Sequence, residues 1–131
     1  MTLNSADFQI HDVSHFPLVL TQATATPGYS AVWEKEMETL VLNQQAFVLI
    51  LKASRADEEH EDRKRRGIWL KQNKQRLGAL CKVLISVEPD GMRRAALTGQ
   101  SAMAEKAFGI PMRVVDTLEE ARTQGRRWLE H

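Results

Sequence analysis

Phe47-Val48-Leu49-Ile50-Leu51 is an apolar stretch with β-branched members, preceded by Ala46 and followed by Lys52. It is too short for a buried helix and has no alternating polar partner, so it reads as a central strand covered on both faces. The segments on either side read as its covers. Upstream, Trp33, Met37, Leu40 and Val41 recur at i, i+4, i+7 and i+8, one face of a helix, with Glu34, Lys35, Glu36 and Glu38 assigned to the other. That helix follows the break at Thr26-Pro27-Gly28 and ends around Asn43. Downstream, Ser54 to Asp57 reads as a loop and Glu58 to Leu80 as one long helix carrying Trp69, Leu70, Leu77 and Leu80 on a single side.

The same alternation continues to the end of the chain. Lys82-Val83-Leu84-Ile85-Ser86-Val87 is a second β-rich stretch, stopped by Pro89-Asp90-Gly91. Asp90 is placed to cap a third helix, in which Met92, Ala95, Ala96, Gly99, Ala102 and Met103 form a stripe of small residues suited to lying close to a sheet. Gly109 and Pro111 end it, and Met112-Arg113-Val114-Val115 is a last short strand. Thr117-Leu118-Glu119-Glu120 has the form of a capping box, opening a helix with Leu118, Ala121, Gly125, Trp128 and Leu129 at helical spacing. At the other end, Phe8 and Ile10 alternate with Gln9 and His11, and Phe16 to Thr21 reads as a second strand joined to the first by a hairpin connection. Residues 1–7 are expected to be flexible.

The order β-β-α-β-α-β-α-β-α predicts one α/β domain over residues 1–131. It is a small layered sandwich with a mixed, mostly parallel sheet of about five strands and four helices. A chain of 131 residues buries roughly two-thirds of its unfolded surface, enough for a core without disulfides. The single cysteine, Cys81, points to a reducing, cytoplasmic setting, and its place between a helix and an apolar strand reads as a buried spectator rather than a nucleophile. No apolar run approaches the roughly 20 residues of a membrane span.

The sequence offers little recognisable chemistry. Neither Lys52-Ala53-Ser54-Arg55 nor Glu88-Pro89-Asp90-Gly91 is a glycine-rich phosphate loop. His11 and His15 fall in a strand-turn segment where spacing does not pair them, and His60 sits in an acidic first helical turn with an incomplete ligand set. No catalytic residue, metal or cofactor is expected. The formal net charge of +1 excludes a chain built mainly to grip nucleic acid. It hides a split, however: residues 1–54 hold 2 basic and 5 acidic residues, residues 55–131 hold 16 and 12. Arg63, Lys64, Lys71 and Lys74 align on one stripe of the long helix, a candidate surface for a protein partner. The acids before them form i,i+4 pairs, Glu59–Arg63, Glu61–Arg65 and Asp62–Arg66, that support a solvated helix face. Apolar helix faces around Trp33 or Met103 leave room for a homodimer. A second reading is a small ligand in the crevice at the strand C-termini, near Ser54, Glu88 and Asp90.

Phe16-Pro17-Leu18-Val19, the central Phe47–Leu51 strand, Trp69-Leu70-Lys71 and Leu118-Glu119-Glu120-Ala121 with Trp128-Leu129 together resemble the bacterial SpoIIAA-like proteins of the STAS type. The resemblance covers most of the chain from about residue 8. It implies a small α/β sandwich acting without catalysis as a regulatory interaction module. In the partner-switching members a phosphorylated Ser opens the helix after the central strand, which would place the switch at Ser54. Those members carry an Asp-Ser-Ser/Thr-Gly-like turn there, whereas this chain reads Ser54-Arg55-Ala56-Asp57 followed by acids, which disfavours an added phosphate.

Overall fold

A computed structural model describes residues 3–21, 28–52 and 60–130 of the chain. The apolar stretch at its centre is strand β3 (Phe47–Lys52), with its first four residues buried. It pairs in parallel with β2 (Leu18–Thr21) and with β4 (Cys81–Val87), and β4 pairs in parallel with β5 (Met112–Val115). The two-residue β1 (His11–Asp12) adds antiparallel to β2, closing a mixed five-stranded sheet in the order β1-β2-β3-β4-β5. Each strand is therefore a spatial neighbour of the strand before it.

Pleat alternation sorts β3 between two cores. Phe47 and Leu49 face the first, built with Trp33, Met37 and Leu40 from α1 (Tyr29–Leu42), Trp69 and Leu70 from α2 (His60–Gln72) and Leu77 from α3 (Lys74–Leu80). Trp33 and Trp69 meet edge to face there, with ring centroids 5.5 Å apart. Val48 and Ile50 face the second core with Val83, Ile85 and Val87 of β4, and α5 (Leu118–Leu129) is the helix that covers it. Gly125 is what lets α5 settle there, because a Cβ at this position would stand 2.9 Å from Leu18 Cδ2 and 3.2 Å from Val48 Cγ1.

Four expectations are corrected. The single long helix is two, giving five α-helices among the described residues rather than four. Asn73 leaves helical geometry (φ −111°, ψ 20°), its amide donating to the Trp69 carbonyl while its side-chain oxygen accepts from Arg76. An Asn side chain competes in this way with the helix's own bonding. The first strand is confined to His11–Asp12, and residues 5–7 form a 3-10 turn capped by Asn4. Half of the capping box exists: the Thr117 hydroxyl accepts from Glu120 N–H at 3.1 Å, but the Glu120 carboxylate accepts from Gln124 instead of reaching back.

The fourth correction concerns α4 (Gly91–Phe108), which starts as expected with Asp90 accepting from Arg93 N–H at 2.9 Å. Its small-residue stripe does not lie on the sheet. Leu97, Ser101, Ala104, Glu105 and Phe108 turn inward and are partly buried, while Met92, Ala95, Ala96, Gly99, Ala102 and Met103 face solvent. The physical reason is area: burying Leu97 and Phe108 removes far more apolar surface from water than burying a row of alanines.

Candidate functional site

Two buried carboxylates fix the frame on which any surface is presented. Glu36 was assigned to the polar face of α1, yet it is only 3% exposed. Its carboxylate accepts from the backbone N–H of Gln9, Ile10 and His11 and lies 2.8 Å from His11 Nδ1, fastening the N-terminal segment to α1. Burial pushes the Glu36 carboxyl up, but the bonds from the His11 side chain and the three N–H groups outweigh it and hold the group below the usual carboxylate range. The sequence carried the signal, since Tyr29, Trp33, Glu36 and Leu40 form one row at i, i+4, i+7 and i+11.

Asp62 plays the corresponding part on α2. It is 4% exposed and accepts from the Ser30 hydroxyl at 2.6 Å and from the N–H groups of Gly28 and Ser30. Gly28 caps α1 in the left-handed region (φ 85°) and has no side chain to do this work, so the carboxylate of another helix does it. The Ser30 hydroxyl leads the groups that hold Asp62 below its ordinary range.

Arg65, which spacing pairs with Glu61, instead joins two helices, as does Arg76. Arg65 Nε donates to Glu34 at 2.7 Å and Arg76 donates to Glu38, tying α2 and α3 to α1. Arg66 lies over the Trp33 ring, 5.9 Å from its centroid. Of the four basic residues proposed for a partner, Arg63, Lys64 and Lys71 are exposed on α2. Lys74 is on α3, separate from them. Its stem packs against Gly109 and its ammonium donates to the Lys106 carbonyl at 3.3 Å, at the end of α4. There it complements the helix C-terminus.

The other candidates are dispersed. Ser54 lies outside the described residues. Glu88 is buried and accepts from Asp90 N–H at 3.0 Å, while Arg94 donates to the Glu88 and Pro89 carbonyls. Glu88 and Asp90 thus build the β4–α4 turn. Cys81 is 1% exposed, and burial pushes its thiol up to about 12, far from the thiolate that reactivity requires. His11 and His15 part company, the first buried and the second exposed. Trp33 is buried and presents no surface to a second copy. No group of three or more His, Cys, Asp or Glu side chains suited to a metal forms among the described residues, and none of their helices is long and apolar enough to cross a membrane.

What remains is an apolar surface that sequence patterning placed indoors. Met92 and Met103 are 86% and 76% exposed, and α4 has no buried residue along its 18-residue length. Arg93 and Lys106 flank this face on α4 itself. No protein-family model matches the chain, nor does any curated protein or solved structure.

Proposed function

We propose that the chain is a non-enzymatic regulatory or protein-interaction domain working in the cytoplasm, in the manner of the SpoIIAA-like proteins of the STAS type that it resembles. The single observation that carries this reading is the outward face of α4. Two nearly bare methionines, separated by Ala95, Ala96, Gly99 and Ala102, hold apolar surface in water along more than three helical turns. Small residues allow close approach of another backbone, and methionine adapts its shape to what it meets. With cations at its borders, the face suits an amphipathic helix of a protein partner with acidic flanks. The small α/β layer architecture agrees with the resemblance, and Ser54 as a phosphorylated switch rests on the resemblance alone.

Affinity capture from an extract of the source cells tests the reading when it is run with surface variants in parallel. A protein retained by the wild type and by Arg127→Gln, but lost from Met92→Glu/Met103→Glu, is the expected outcome. Capture that is identical for all three chains overturns the role of α4. A further loss in Arg63→Glu/Lys71→Glu would extend the docking surface onto α2.

A further inference from the structure

An open cleft of about 640 Å³ lies where the turn leading into β2 meets the last turns of α5. Phe16, Pro17, Leu18 and Leu129 give it an apolar lining. Arg122 and Arg126, one helical turn apart, and the exposed imidazole of His15 stand around it. Its volume falls within the usual range for a small-molecule site.

We infer that this cleft binds a small organic anion with an apolar body, its carboxylate or phosphate head held by Arg122 and Arg126 with His15 as a further donor. The cleft is at the N-terminal end of β2, the opposite end of the sheet from the crevice at the strand C-termini, and α5 covers the face of the sheet that α1–α3 leave open.

Three observations carry the assignment. First, Arg122 and Arg126 make no ion pair among the described residues, although arginines elsewhere in the chain do. Like charges at i,i+4 destabilise a helix slightly, and an anion between them offsets that cost. Arg126 and Arg127 both complement the C-terminal end of α5, but only Arg126 also lines the cleft. Second, a neighbouring carboxylate feels the positive charge of these groups. Asp12 is held below the ordinary carboxylate range first by the Ser14 hydroxyl and N–H, and His15 and Arg122 add their coulombic pull. Third, Glu130 is the one acid on the cleft wall, and it stands against two guanidinium groups. Planar, multi-donor guanidinium groups are suited to carboxylate and phosphate, and the apolar lining favours a head that carries a hydrocarbon body over a bare ion.

The test is a titration of the ¹⁵N-labelled full chain, followed by backbone and arginine side-chain resonances. The probes are hexanoate, hexyl phosphate, hexan-1-ol and inorganic phosphate. Saturable shifts confined to His15–Leu18 and Arg122–Glu130 are expected with hexanoate or hexyl phosphate, and the tighter of the two identifies the head group. Hexan-1-ol and inorganic phosphate are expected to bind at least about tenfold more weakly, since each lacks one half of the recognition. Arg122→Gln/Arg126→Gln is expected to weaken the better probe by about tenfold or more while leaving resonances of β3 and β4 in place. Arg127→Gln is expected to leave binding unchanged. Equal binding of hexan-1-ol, shifts centred elsewhere, or full binding by the double variant overturns the assignment, as does the absence of a saturable shift at about 10 mM probe.

Discussion

Helices α4 and α5 flank the same edge strand, β5, and both contain small residues at helical spacing, yet they use them in opposite ways. In α5, Ala121 and Gly125 point at the sheet and bring the helix down onto Leu18 and Val48. In α4, the small residues point away, and the helix is held by Leu97, Phe108 and the bonds from Met112 N–H and Arg113 to Glu105. The difference lies in where the larger apolar residues fall. Leu118, Trp128 and Leu129 share a side with Ala121 and Gly125, so burying them buries the small residues too. Leu97 and Phe108 lie opposite Ala95, Gly99 and Ala102, so burying them turns the small residues outward. The small residues are buried where leucine and tryptophan share their face, and exposed where only methionines do.

The contrast can be broken by measuring the unfolding free energy of five variants in denaturant. Phe108→Ala removes the main anchor of α4 and is expected to cost about 3 kcal/mol, near the lower end for a buried phenylalanine because this one is only half-buried. A cost under about 1 kcal/mol would mean that α4 is not held by its inward face. Gly125→Ala is expected to cost about 1–2 kcal/mol, because the crowding of Leu18 and Val48 outweighs the gain in helix propensity of under about 1 kcal/mol. The caps should respond alike on both helices. Asp90→Ala and Thr117→Ala are each expected to cost about 1 kcal/mol, since each removes one acceptor from a first-turn N–H. Gly99→Ala is expected to stabilise by about 0.8 kcal/mol, since a Cβ there meets nothing within 4 Å and only propensity acts. Should Gly99→Ala and Gly125→Ala shift stability in the same direction, the opposed use of small residues is wrong.

Much of the frame was legible because it rests on short-range physics. The apolar character of Phe47–Ile50 gave the central strand, the i,i+4 row of Trp33 and Met37 gave α1, and Asp90 and Thr117 cap the helices that they precede. The parallel character of the sheet followed from the alternation of elements. What escaped was decided by partners distant in sequence. Glu36 and Asp62 look like ordinary helix-surface acids until the segments at Gln9–His11 and Gly28–Ser30 fold against them. Arg65 had a suitable acid at i−4, but Glu34 of another helix holds it. The outward face of α4 follows from Leu97 and Phe108, whose bulk on the opposite side outweighs the row of small residues. The cleft at His15 and Arg126 joins two segments at opposite ends of the chain, and no local pattern relates them.

The order of the strands has a consequence for how the molecule unfolds. In a sheet where each strand pairs with its sequence neighbour, pairing joins adjacent units as in a repeat array, and such an array can fray from either end one unit at a time. Helix α5 breaks that independence. The last helix reaches back across β4 and β3 to Leu18 on the second strand, so the chain's final segment locks onto one of its first. Loss of α5 would remove one of the ties that make the units a cooperative whole. Hydrogen exchange in β2 and β3 then responds to the docking of residues at the far end of the sequence.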